Sequence, residues 1–292
     1  MSNGMKQDEY GKRQQVGMFL GAALFAIMLL LPSPEGLSDS GWRTAAVAVL
    51  MAVWWITEAL PIPATALLPI VLLPVLDIVS IGAATSPYAN PLIFLFMGGF
   101  VIAIAMERWD LHRRIALNIV NFVGVNPSSI IIGFIISAAF LSMWVSNTAT
   151  ALMMLPIALS VLELVERRSS GPDKLNFEIV LVLCIAYACN IGGMGTIIGT
   201  PPNALLVGYL SETYGVEISF LQWMSVGVPV MLVTLPLMYL ILAKVVYPIH
   251  LQKLPGGREF IRSQMEELGS ISNPEKKVAA VFVTTALLWI TR

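Results

Sequence analysis

Nine residues, Ser142-Met-Trp-Val-Ser-Asn-Thr-Ala-Thr150, gather hydroxyls and one amide between the apolar runs Ile130–Ile136 and Leu152–Ile157. Polar groups set amid hydrocarbon cost several kcal/mol each unless they line a protein or water cavity. A second apolar run is interrupted by Asn190-Ile-Gly-Gly-Met-Gly-Thr-Ile-Ile-Gly-Thr-Pro-Pro-Asn203. Clustered glycines and a Pro-Pro pair break a helix. Such a break frees carbonyls at one helix end and N–H groups at the other. Discontinuous helices of this kind coordinate sodium and orient anionic substrates. Hydroxyl, amide and carbonyl oxygens suit a hard cation. The co-bound cation and helix N-termini would then neutralise an anion.

Competing chemistries fit less well. The glycines are not followed by Gly-Lys-Ser/Thr, nor spaced as G-x-G-x-x-G after a strand, so a nucleotide loop is a poor match. Close packing of small residues would explain the glycines but not Thr-Pro-Pro-Asn. No Asp, Glu, His, Lys or Arg stands at mid-depth in either stretch, and Glu58, Asp77, Glu107 and Lys244 all sit near span ends. A proton relay therefore has no titratable group to use. Ser142 and Ser146 have no sequence-near base, which argues against a hydrolase, and the chain is not expected to be an enzyme. His112 and His250 fall in basic segments and are expected to be solvated. Cys184 and Cys189 read as small packing residues, since their spacing fits neither a metal site nor a disulfide framework.

These stretches need long apolar helices to hold them. The 292 residues are 57% hydrophobic and 12% charged, about half the charge of an ordinary soluble domain. The chain reads as an all-α polytopic membrane protein, and its net charge of -1 excludes a general nucleic-acid binder. A cytoplasmic tail (1–15) precedes span one, Val16–Leu31, whose apolar run is longer than a signal-peptide core of about 7–15 residues. Span two is Thr44–Ile56, ending in the interface pair Trp54-Trp55, and span three is Ala64–Val79, entered through Pro61-Ile62-Pro63. Span four is Pro91–Ala105. Hairpin arms run Ser128–Val145 and Ala149–Glu163, an interrupted span five Phe177–Leu210, and span six Phe220–Val246.

Lys and Arg give the orientation. Lys6, Lys12 and Arg13 lie in the tail, Arg108, Arg113 and Arg114 after span four, Arg167, Arg168 and Lys174 after the hairpin, and Lys253, Arg258 and Arg262 after span six. The alternate loops, 33–41, 81–90 and 211–219, hold no Lys or Arg. This positive-inside pattern places the N-terminus in the cytoplasm. It also makes 128–163 enter and leave from one side. Arms of about 15–18 residues reach only about 22–27 Å, which fits a re-entrant hairpin; two short full spans with an external turn are the alternative.

Several motifs together resemble the divalent anion:sodium symporter family, carriers of succinate, citrate, related carboxylates and sulfate. They are Trp54-Trp-Ile-Thr-Glu-Ala-Leu-Pro-Ile-Pro63, the Ser146-Asn147-Thr148 tip, Gly199-Thr-Pro-Pro-Asn203, Phe94–Phe100 and Leu251–Phe260 with its Leu-Pro-Gly-Gly-Arg-Glu-Phe. The resemblance runs along essentially the whole chain. It implies the first half of an inverted-repeat elevator transporter, in which each repeat contributes a re-entrant hairpin and a broken helix. Residues 16–90 would be scaffold helices forming a homodimer, and 91–247 half of the moving transport domain. It also implies Na+ as the coupling ion, held by Ser142, Ser146, Asn147 and backbone at Gly195. Asn147, Thr148, Thr200 and Pro201 would border a carboxylate substrate. Ser142 and Ser146, four apart on an arm, are expected to share a helix face. No organic cofactor is implied, and the setting would be the lipid bilayer of a bacterial inner membrane.

Length departs from that pattern. Residues 248–276 read as a cytoplasmic amphipathic segment built on Phe260, Ile261, Met265 and Leu268, or as a plain linker. Residues 277–292 read as the start of a seventh span, about 20 Å of helix. A second Ser-Asn-Thr hairpin is absent, so the C-terminal half is expected to be missing and the chain alone to transport poorly. A sodium-independent dicarboxylate exchanger or a sulfate carrier keeps the same spans and remains the alternative function, with an inactive truncated fragment beside it.

Overall fold

The computed structural model describes residues 11–124, 126–166, 172–249 and 257–291. All regular structure among them is helical. Expectations resting on Lys6, Arg167, Arg168, His250 and Lys253, and on the side chains of Arg258 and Phe260, lie outside what is described. Four helical segments are long and apolar enough to cross a membrane: Lys12–Leu30, a stretch within Ile81–Arg108, Lys174–Gly193 and Phe220–Val246. The chain is an all-α polytopic membrane protein. It divides into two compact units, Met1–Pro91 and Leu92–Arg292.

In the first unit, α1 (Lys12–Leu30) and α2 (Asp39–Thr57) pack as an antiparallel pair. Gly17 lies against Thr57 and Gly21 against Trp54, where any side chain would collide. Trp54 Nε1 donates to Met18 O at 3.3 Å and Trp42 Nε1 to Met28 O at 2.8 Å, so these indoles tie the pair together. Span three is not one helix. It forms α3 (Ile62–Ala66) and α4 (Leu68–Val75). Pro69 has no N–H to give Thr65 O, so the hydrogen-bond ladder is interrupted and the helix divides at Leu67. The expected loop at 81–90 holds a short helix, α5 (Ile81–Thr85), capped by Ser80, and a 3₁₀ turn, Ser86–Ala89.

The second unit opens with α6 (Pro91–Arg108) and α7 (Leu111–Val123). The basic segment after span four is thus a helix rather than a loop. Its buried face is Leu111, His112, Ala116, Leu117 and Val120. His112 is only 8% exposed, with Nδ1 3.0 Å from Met106 O, so the expectation of a solvated histidine fails. It sits on the apolar stripe of an amphipathic helix, whose Arg113 and Arg114 lie on the polar side.

Next come α8 (Pro127–Ser142) and α9 (Asn147–Glu166), joined by a turn at 143–146. Gly133 lets α7 approach α8 until a Cβ there would stand 2.9 Å from Val120 Cα, and Gly192 plays the same part against the Ala139 backbone. Span five is α10 (Pro172–Gly193) and α11 (Pro201–Tyr214), interrupted at 194–200 as expected. Span six is α12 (Phe220–Leu240), started by a Ser219/Gln222 capping box and continued as a π-helical turn, Ile241–Val246. The core joins α7, α8, α9, α10 and α12 around Phe134, Phe177, Met106 and Leu117.

The amphipathic segment is α13 (Gly257–Leu268), docked on α7 rather than loose. Ile261 is fully buried, and Arg113 Nη2 donates to Gln264 Oε1 at 2.7 Å and Glu267 Oε2 at 3.0 Å. The last helix, α14 (Asn273–Thr291), starts before the apolar run and takes in Glu275. Arg114 clamps the α13–α14 corner, donating to Glu275 Oε1 at 2.8 Å and Gly269 O at 3.0 Å.

Candidate functional site

α8 ends at Ser142. Met143, Trp144 and Val145 continue in tight turns onto Ala139 O and Leu141 O, and the chain then leaves helical geometry at Ser146. Ser142 and Ser146 therefore do not share one helix face, contrary to expectation. Ser146 instead begins α9: its Oγ accepts from Ala149 N at 3.2 Å and its carbonyl from Thr150 N at 2.9 Å.

The turn meets the helix break. Fully buried Ser142 places Oγ 2.7 Å from Cys189 O of α10 and 2.6 Å from the Asn147 amide. Gly193, the last residue of α10, lies against that amide, and any Cβ at 193 would overlap it. The Asn190 amide stands 3.3 Å away on the other side. The inner end of the Asn147 amide also lies 3.2 Å from both Cys189 O and Gly199 O.

These distances admit either orientation of the Asn147 amide. A hydroxyl carries a single proton, and the Ser142 proton satisfies Cys189 O. With its nitrogen inward, Asn147 shares its two hydrogens among Ser142 Oγ, Cys189 O and Gly199 O, and its oxygen is paired once the Asn190 amide turns its own nitrogen toward it. With its oxygen inward, Asn147 Oδ1 joins Ser142 Oγ, Cys189 O and Gly199 O as neutral acceptors facing one another. A cation, or a water donating both its hydrogens, satisfies that arrangement. The donor set suits a hard ion held without carboxylates.

The interruption itself is braced. Thr196, fully buried, donates its hydroxyl to Met143 O and accepts from Gly199 N at 3.0 Å. Asn203 Nδ2 bridges the break, donating to Gly193 O at 2.9 Å and Thr196 O at 2.8 Å. From α12, Trp223 Nε1 donates to Met194 O at 3.0 Å. Gly195, expected to offer its backbone to the ion, lies in the same loop: its N–H donates to Gly192 O at 2.9 Å, and its carbonyl lies 3.3 Å from where a Gly227 Cβ would be.

The two helix starts differ in the backbone donors they offer. Thr200 precedes α11 in extended backbone (φ -149°, ψ 142°) without capping it by its side chain. Pro201 and Pro202 have no N–H, and Asn203 N is taken by Thr200 O at 3.1 Å. The first three residues of α11 thus offer no free backbone donor, despite the helix dipole. In α9, by contrast, the N–H groups of Asn147 and Thr148 have no acceptor among the described residues, and the Thr148 side chain is exposed. Free N–H groups at a helix start attract a carboxylate. Cys189, Gly193, Thr196, Gly199, Asn203 and Trp223 were not singled out as site residues from the sequence. Only the glycine spacing and Thr-Pro-Pro-Asn hinted at them.

Comparison with known proteins bears on this geometry. The model of the sodium:sulfate symporter transmembrane region matches residues 12–292. The chain belongs to this family, the divalent anion:sodium symporters. Among its family relatives are proteins named sodium-dependent dicarboxylate transporter SdcS from Staphylococcus saprophyticus and from Staphylococcus aureus strain USA300. Each is 45% identical over 295 residues, an alignment covering 100% of this chain and 57% of the relative. The chain therefore spans little more than half the length of the curated relatives it matches.

Proposed function

We propose that this chain carries one sodium half-site of a secondary transporter that couples Na+ to the uptake of dicarboxylates of the succinate class. The observation that carries the reading is the meeting of Ser142 Oγ, Asn147 Oδ1, Cys189 O and Gly199 O where two helix interruptions converge. The names of the Staphylococcus relatives agree with it.

In this reading Na+ binding selects the amide orientation with Asn147 Oδ1 inward. The Asn147 nitrogen then turns outward, and with the N–H groups of Asn147 and Thr148 and the Thr148 hydroxyl it meets one substrate carboxylate. Ser146 orients the start of α9, and Thr200 and Pro201 border the same cavity. The ion and the anion are thereby linked through one side chain, and neither binds fully without the other. Gly195 contributes through loop shape. The 128–163 hairpin is re-entrant from the cytoplasmic side, with the N-terminus cytoplasmic in a bacterial inner membrane. The first unit acts as scaffold and homodimer surface, and the second as half of the moving part.

Binding of labelled succinate to the purified protein, with Na+ replaced by choline at constant ionic strength, tests the coupling. Succinate binding that needs Na+ and is lost in Asn147→Ala supports it. Binding indifferent to Na+ would instead identify an exchanger.

A further inference from the structure

Five helical threonines in this chain share a habit. Thr44, Thr57, Thr85, Thr234 and Thr291 each donate the hydroxyl to the carbonyl four residues back, at 2.8, 2.7, 2.9, 2.7 and 2.8 Å. Thr150 departs from it. Its side chain is 0% exposed, and its Oγ1 has no partner among the described residues. Ser146 O stands four residues back and already accepts from Thr150 N at 2.9 Å. A second bond to that carbonyl, the one those five threonines make, is open to it in principle. Leaving a buried hydroxyl unpaired costs about 1–3 kcal/mol.

Position gives the orphan hydroxyl a role. Thr150 lies three residues past Asn147, so the two side chains are neighbours on α9, about 5–6 Å apart at Cβ. The stripe they start continues through Met154, Ile157 and Val161 into the core. Thr150 is thus the last polar group on that stripe before apolar packing begins. Among the described residues two other buried side-chain polar atoms lack partners, Thr65 Oγ1 and Trp144 Nε1. Thr65 belongs to the other unit. An indole N–H can only donate and is no cation ligand.

We propose that Thr150 Oγ1 is a further oxygen of the cation site, engaging the ion directly or through one ordered water and setting which alkali ion is preferred. The proposal rests on the sodium reading of the Ser142–Asn147 cluster. A hydroxyl adds a hard ligand without adding charge. It also explains why the hydroxyl stays off the Ser146 carbonyl: stability of the ion-free chain is given up for the bound state.

Thr150→Val keeps the shape and removes the oxygen, whereas Thr150→Ser keeps the oxygen and removes a methyl. The experiment is a sodium titration of the melting temperature of the full chain in detergent, with choline holding ionic strength, repeated with lithium. Expected is a Thr150→Val protein that melts at or above wild type without sodium, yet needs about tenfold more Na+ or greater for half its stabilisation. Thr150→Ser should keep the wild-type midpoint, and the Na+/Li+ preference should shift only in Thr150→Val. A wild-type midpoint in Thr150→Val, or failure of that variant to fold, overturns the proposal, because either makes the hydroxyl idle or merely structural. A wild-type protein without any sodium response fails the underlying reading instead, and the two failures are distinguishable.

Discussion

The hydroxyl of Thr196 donates to the carbonyl of Met143, tying the loop between α10 and α11 to the turn that ends α8. One side chain thereby fixes the distance between two helix interruptions that lie far apart in sequence. The same oxygen accepts from Gly199 N at 3.0 Å, so it also shapes the loop that presents Gly199 O.

Thr196→Val keeps the volume but leaves Met143 O and Gly199 N without their partner, in a buried place. Each unpaired group costs about 1–3 kcal/mol. The variant should melt below wild type even without sodium, whereas Thr196→Ser should melt near it. Equal melting of Thr196→Val and wild type would remove the brace from the account. Thr196 is thus expected to stabilise the ion-free protein, whereas Thr150 is not.

Gly193→Ala tests the contact between α10 and Asn147. Its methyl would occupy the space of the Asn147 amide, and forcing one methyl into a packed site costs about 1–3 kcal/mol. The amide should lose its freedom to turn. Weakened sodium-dependent stabilisation is expected, larger than any loss in sodium-free melting temperature. A change confined to sodium-free stability would show the glycine to be a packing residue only.

Much of this was legible in the sequence, and the parts that were not share a cause. Gly and Pro punctuation located the 194–200 break because it acts on the backbone directly, whereas the 143–146 turn, which holds neither residue, was located by its polar cluster. Ser142 and Asn147 stood out because polar side chains amid Ile and Leu are conspicuous. Cys189 O and Gly199 O could not stand out, since a carbonyl ligand leaves no trace in side-chain type. Position 143–146 also defeated the helical spacing argument, because α8 stops at Ser142 and the next serine caps another helix. His112 was masked by its flanking arginines, although Leu111, Ala116, Leu117 and Val120 mark the buried face it joins. The Leu67 break followed from Pro69, a signal read there only as a span entry at Pro61 and Pro63.

Acid should loosen the α13–α14 corner. Hydrogen bonding to Arg114, then to Ser272, holds the Glu275 carboxyl below the usual glutamate range despite its burial. A depressed folded pKa means the unfolded chain binds the proton more readily. The stabilisation is therefore complete above the ordinary value of about 4.3 and is lost as pH falls through the lower, folded one. Hydrogen exchange at α13 should rise over that window in wild type, whereas Glu275→Gln should start high and stay flat. Identical profiles would show that the pair contributes nothing. Arg114→Met should cost more, toward the lower end of the about 3–5 kcal/mol expected when one partner of a buried pair is removed.

The central claim is that neutral oxygens at two meeting helix breaks, with the Asn147 amide among them, hold a sodium ion. It is tested most directly by the melting temperature of the purified chain as choline chloride is replaced by sodium chloride at constant ionic strength, in wild type and in Asn147→Ala. The account predicts saturable stabilisation by sodium in wild type and its loss in Asn147→Ala. Equal melting of wild type in the two salts, or sodium stabilisation that survives in Asn147→Ala, would contradict it.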